Sequence, residues 1–302
     1  MKKLITLFAA LSMAFLTAAA ADEPEFALTE TQTFEVEHFD GLDVSWMYRV
    51  ELVQATQQKV EVEAPDFLMP YLKVKVRKNT LVLSVSELPR DIRKKVEKGN
   101  YRVQATVAVK ELSRVDLSGA SRMTADGTFR ANSFSLQMSG ASSLKGLMVS
   151  ADKMRIQCSG ASNFQMSGPV KEMDIDLSGA SKGEVVSDTE KMDADLSGSA
   201  KLTLTGRQEL VRMDVSAAGH VKMNGSVGGI RLVGSGAAKI NMEDCPADEA
   251  NVDLSGASSL QIHVLDKFGI SLSGASRCQY KAGDQLQIVK TDVSTGASLK
   301  KL

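Results

Sequence analysis

Leu177-Ser178-Gly179-Ala180-Ser181 is the stretch on which the reading of this chain turns, because it keeps returning. The tetrapeptide Ser-Gly-Ala-Ser, or a close relative of it, places a glycine at Gly119, Gly140, Gly160, Gly179, Gly198, Gly236, Gly256, Gly274 and Gly296. The first steps between them are 21, 20, 19 and 19 residues. A degenerate copy, Ser216-Ala217-Ala218-Gly219, fills the gap between Gly198 and Gly236. About ten units of about 19 to 20 residues therefore run from near residue 111 to Leu302. A fixed period of that size marks a stacked architecture, in which no unit buries its own apolar face and each leans on its neighbours.

Working outward from the corner, each unit shows the two-residue alternation of a half-buried strand. Met173, Ile175 and Leu177 point one way, and Asp174 and Asp176 the other. The pattern recurs as Phe134-Leu136-Met138, Met154-Ile156-Cys158, Met192-Ala194-Leu196 and Ala250-Val252-Leu254. After the corner a second strand follows, with Leu202-Leu204, Ile240-Met242, Leu260-Ile262 and Cys278-Tyr280 supplying its inward residues. Further glycines at Gly127, Gly168, Gly206 and Gly225 mark a looser return. Strand, tight corner, strand and return predict an all-β fold, a parallel β-helix or solenoid of two facing sheets. Its rungs stack about 4.8 Å apart. Glycine suits the corner because it reaches φ > 0 without a Cβ clash. Small residues beside it let the sheets converge, and serine hydroxyls reach backbone groups at the bend.

The repeat occupies residues 111–302, and residues 22–110 read as a strand-rich N-terminal part of the solenoid. Residues 22 to about 32 are polar and are expected to fray. Alternation then runs through Val44, Trp46, Val50, Leu52, Val60, Val62, Val74, Val76, Leu81 and Leu83, with a turn at Asn79-Thr80. Pro65 to Pro70 reads as a short helical turn, and Pro89 to Gly99, rich in Arg and Lys, as a solvated connector or short helix. Ahead of all this, Lys2-Lys3, the apolar run Leu4–Ala18 and Ala19-Ala20-Ala21 have the layout of a secretory signal peptide over residues 1–21. The chain is then exported, to the periplasm, the cell surface or the medium. Without that segment the net charge is −3, which gives no reason to expect a nucleic-acid partner.

Aromatic residues make up 5% of the chain, so a core must be filled by aliphatics and methionines. Of the three cysteines, Cys158 stands in the column of Leu117, Met138 and Leu177, and Cys278 in that of Met123, Leu144 and Phe164. Both read as small core hydrophobes. Cys245, beside Pro246 in a longer loop, is expected near solvent. The histidines, His38, His220 and His263, are scattered, with His220 in the corner-serine place of the degenerate unit. Gly225-Ser226-Val227-Gly228-Gly229 reads as a turn rather than a phosphate loop, since it lacks the lysine and the helix.

The sharpest chemical candidate is a carboxylate column: Asp176, Asp195 and Asp214 in three successive units, with Asp116, Asp253 and Asp292 in others. Neighbouring rungs would hold such groups about 5 Å apart and alternate rungs about 10 Å. Glycosidases use pairs at about 5 Å or about 6.5 to 9.5 Å, so a carbohydrate-active enzyme working on acidic polysaccharide is one alternative. Against it, Gln137, Gln157 and Ser271 stand in the same column. The basic residues Lys182, Lys201, Lys239 and Arg277 form a second column that can offset the repulsion. A solvated exterior ladder is the favoured reading. No nucleophile, base and orienter come together in any motif, and no calcium-roll nonapeptide is present, so no catalytic, cofactor or metal residues are assigned.

The corner repeats, as in Leu117-Ser118-Gly119-Ala120-Ser121, together with the preceding β region, resemble the auto-transporter adhesin head (GIN domain) family of Bacteroidetes-type bacteria. The resemblance covers residue 33 to the end. It implies a pectin-lyase-like right-handed β-helix, no recognised catalytic set and a role in cell adhesion. The expected partner is then a glycan or a host or cell-surface protein, and a periplasmic scaffold is the remaining alternative. The sequence stops directly after its last corner, which puts self-anchoring in doubt. It also leaves a rung edge for which trimeric or end-to-end association is the expectation.

Overall fold

The structure, a computed structural model, describes residues 28–99 and 101–302. The expected signal peptide lies outside the described residues. Within them are 22 strands, one α-helix and one 3₁₀ turn. Strands Val170–Leu177 and Thr189–Leu196 pair in parallel with Ile175 opposite Ala194 and Leu177 opposite Leu196, one repeat apart. On the other sheet Lys182–Val186 pairs in the same way with Lys201–Val215, Val185 facing Leu204. The two columns together make a β-solenoid whose inward residues form one continuous core from Phe39 to Tyr280.

The corner explains its own sequence. Ala180 N–H donates to Gly160 O at 2.8 Å, and Ser199 N–H to Gly179 O at 2.7 Å, so each bend is hydrogen-bonded to the bend below. Gly179 has φ +69°, and a Cβ there would lie 2.7 Å from Gly160 O. A side chain would strain the backbone and also strike the rung beneath, which is why glycine recurs. In the degenerate unit Ala217 takes this place at φ 55°. Trp46, at φ 70°, takes it at the head of the column, where Ala120 N–H donates to Trp46 O at 2.6 Å. That first corner has no glycine and so carries no mark of the repeat.

Several expectations change. Thr29–Phe34 is a strand, paired antiparallel with Lys59–Pro65, where fraying was expected up to residue 32. Its side chains are nearly all exposed, so backbone pairing rather than burial holds it. The Gly225–Gly229 stretch, expected as a turn, lies inside the strand His220–Gly234, with Gly225 at φ 120° and a register shift between Lys222 and Val227. Cys245, expected near solvent, is 1% exposed. The register slips between Met242 and Ala247, and in the longer path so created the apolar thiol turns inward. The short helical turn is Met69–Tyr71, and the basic connector is the helix Arg90–Lys98, which buries only Val96. Lys78 and Asn79, at φ 47° and 59°, make the hairpin turn between Leu72–Arg77 and Thr80–Val85.

Gly41–Val44 and Tyr48–Gln54 pair in parallel with Arg114–Leu117 and Arg122–Asp126, directly beneath the first repeat. Large side chains are matched across rungs elsewhere in the core. Gly183 is buried against the Phe164 ring, since a Cβ on it would fall 2.5 Å from Phe164 Cζ.

Candidate functional site

The aspartate column is a real register column. Asp176 pairs with Asp195, and Asp195 with Asp214. Gln157 precedes them, then Gln137 and Asp116. Asp43, which the repeat did not reveal because its unit has no glycine corner, heads the series opposite Asp116. Val233, Asp253, Ser271 and Asp292 continue it. The strands position these side chains by alternation alone: the inward neighbours Ile175 and Leu177 are buried, so Asp176 faces out.

Asp176, Asp195 and Asp214 are exposed on the outer sheet face. The Asp195 carboxyl is held above its ordinary value, first by partial burial and then by Asp214, Asp176, Asp174 and Asp193. The expected offset by the basic column does not enter that balance. Lys182, Lys201, His220 and Lys239 are indeed successive partners, but on the other sheet, past the corner. His220 thus belongs to the basic column, and Gly219 takes the corner-serine place that was expected for it. The next outward row is partly neutralised, with Asp193 bound to Lys191 at 3.2 Å and Arg212 at 3.8 Å.

A hollow of about 470 Å³ opens over the early part of the ladder, lined by Asp43, Asp116, Gln137, Gln157 and Asp176 with the corner serines beside them. Asp195 and Asp214 are outside it. Asp116 Oδ2 accepts from Arg114 Nε at 2.7 Å, while Oδ1 is buried without a hydrogen-bond partner among the described residues. The Asp43 carboxyl is raised by burial and then by Asp116, with Arg114 opposing. Among the described residues no group of three His, Cys, Asp or Glu is placed to hold a metal ion. A larger groove of about 880 Å³ follows the return bends, with mixed charge from Asp40, Glu111, Arg130, Lys171, Asp188 and Arg207. There Lys171 is tied to Asp152 at 2.6 Å and Asp188 Oδ1 accepts from Arg207 N–H at 2.7 Å.

Corner serines bond the backbone in some rungs, while the buried hydroxyls of Ser121, Ser142 and Ser181 have no hydrogen-bond partner among the described residues. Ser258 Oγ donates to Ser255 O at 2.8 Å, and Ser216 Oγ to Leu196 O at 3.1 Å. Burial pushes the Cys158 and Cys278 thiols up to about 12 and that of Cys245 to about 11. Protonated and enclosed, none of them is presented as a nucleophile.

Fold and surface together define a β-solenoid that displays long ladders of like side chains on its outer faces. The chain belongs to the family described as "Putative auto-transporter adhesin, head GIN domain", whose model matches residues 38–210 and 181–283. Two crystal structures share the fold. One, described as a putative adhesin, is from Parabacteroides merdae ATCC 43184. It is 14% identical, with a TM-score of 0.54, and the match covers 91% of this chain and 96% of that one. The other, also a putative adhesin, is from Parabacteroides distasonis ATCC 8503. It is 15% identical, with a TM-score of 0.52 and coverage of 92% and 98%. No curated protein is significantly similar to the chain.

Proposed function

We propose that this protein is an exported, non-catalytic, adhesin-like binding protein that presents its solenoid faces to a partner at or beyond the cell surface. The observation that carries the non-catalytic part is the placement of Asp176, Asp195 and Asp214. They stand side by side on an open face, whereas glycoside cleavage needs two carboxyl groups converging on opposite sides of one bond. Family membership supports the adhesin-like role. The Lys2-Lys3 and Leu4–Ala18 leader in the sequence supports export.

Two measurements test this. Protease added to intact cells should remove the protein if it is displayed at the surface, and survival until the outer envelope is opened would favour a periplasmic scaffold. The purified chain should bind matrix or glycan surfaces without turning them over. Cleavage of acidic polysaccharide that disappears in Asp195→Asn would establish the enzyme instead.

A further inference from the structure

The face opposite the aspartate ladder carries a groove whose chemistry is of one kind. Its volume is about 400 Å³, and its lining includes Lys239, Asn241, Gln261, Arg277, Gln279 and Lys300. Two outward rows make it. In the first, His220, Lys239, Ser259, Arg277 and Ser298 are successive register partners. In the second the order is Lys222, Asn241, Gln261, Gln279 and Lys300. No acidic side chain lines the groove. The nearby acids are already engaged, Glu184 of the second row with Lys182 and Glu243 of the next outward row with Lys281, at 2.6 Å each. Lys239, Arg277 and Lys300 are exposed and form no ion pair among the described residues. Between the charges the amides are half-buried and ordered, with Gln261 Nε2 donating to Gln279 Oε1 at 3.3 Å.

Resting on the binding role proposed above, we infer that this groove binds an anionic polysaccharide, an extended glycan with a carboxylate or sulfate on alternate sugars. Lys239 and Arg277 stand two rungs apart with Ser259 between them, so these two cationic groups are set about 10 Å apart along the rod, with Lys300 one rung past Arg277 in the adjoining row. An extended glycan acidic on every second sugar offers negative charge at a comparable spacing. The amide and hydroxyl groups between the cations are donors and acceptors for the intervening ring hydroxyls. Arginine and lysine supply charge-assisted hydrogen bonds to the acidic groups. The side chains disfavour other polyanions. Single-stranded nucleic acid needs aromatic platforms for its bases, and the groove lining has no Phe, Tyr or Trp, its one ring being His220. A lipid would need exposed apolar surface, whereas Ile240, Leu260 and Cys278 are turned into the core. The whole chain is slightly acidic, so a groove of this sign is a local feature.

The test is a calorimetric titration of the full chain with hyaluronate oligosaccharides, which bear a carboxylate on alternate sugars. Dextran, polyglutamate and oligothymidylate are run in parallel. Hyaluronate should bind, and more weakly as salt is raised. Lys239→Gln and Arg277→Gln should each weaken it about tenfold, the scale of one lost charge-assisted hydrogen bond. Lys94→Gln, on the distant helix, should leave it unchanged. Circular dichroism should be unaltered, since all three side chains are exposed. The inference is overturned if hyaluronate does not bind, if the groove variants bind it as the parent does, or if polyglutamate or oligothymidylate binds more tightly. A chain that still coats matrix surfaces in those cases would keep its adhesin-like role and lose only this site. A chain that binds neither glycan nor matrix would lose both.

Discussion

Replacing Gly179 by alanine tests the stacked corner at its tightest point. Gly179 has φ +69°, and the new Cβ would lie 2.7 Å from Gly160 O and 3.1 Å from Gly160 N. Left-handed backbone costs an alanine about 1–2 kcal/mol. The backbone contact cannot be relieved by a rotamer change, so rungs must separate locally, with a further cost of about 1–2 kcal/mol on the scale of overpacked cores. The expected loss is therefore about 2–4 kcal/mol in urea unfolding, read from the midpoint at constant slope. Gly269→Ala is the internal control. Its φ is not in the left-handed region and its nearest neighbour would be Asn251 Oδ1 at 3.6 Å, so it should be neutral or slightly stabilising. If Gly179→Ala unfolds within about 0.5 kcal/mol of the parent, against the 2–4 expected, the reasoning about stacked glycines fails. Ala217 shows that one alanine can be held here, at φ 55°. Ala217→Gly should accordingly stabilise the chain, by about 1 kcal/mol.

Asp195→Asn should stabilise the protein at neutral pH, because the folded carboxyl is held above its ordinary 3.8 by burial and neighbouring carboxylates. A raised folded pKa means that the folded state holds its proton more tightly. Stability is then fully present below the ordinary value and is lost as pH rises through the folded one. The gain at pH 7 should be at most a few tenths of a kcal/mol, since the ladder is largely solvated, and it should vanish in melts near pH 3. Gly183→Val should cost about 1–3 kcal/mol by overpacking against Phe164. Phe164→Leu in the same chain should recover part of that, a coupling that a double-mutant cycle measures. All three thiols should resist Ellman's reagent in the native protein and react together once unfolded, as follows from their burial.

The architecture was legible because its constraint is written into residue type. A bend that must reach φ > 0 against the backbone below admits glycine and little else, so the period appears in the letters. Inward and outward alternation was equally legible, down to Cys158 and Cys278 as core residues. Places where the constraint relaxes were not. Trp46 heads the glycine column with no repeat corner before it, so its unit, and with it Asp43, dropped out of the register. Cys245 depends on a slip in strand register that composition does not reveal. The aspartate and lysine columns are separated by six residues in sequence, as Asp176 and Lys182 are. The corner between them was legible as well, but not its consequence: Asp195 is perturbed by neighbouring carboxylates and by no residue of the basic column.

If these bends are vertical corners of one coil, label-to-label distances must grow with the number of rungs between the labels. Native thiols are buried, so nitroxides would attach to introduced cysteines in the outward aspartate column. Asp176→Cys with Asp253→Cys spans four rungs, and Asp176→Cys with Asp292→Cys spans six. Pulsed electron-electron resonance should give mean separations near 19 Å and 29 Å, rising by about 4.8 Å per rung. Separations that fail to grow from the first pair to the second would contradict the coil and every surface ladder inferred from it.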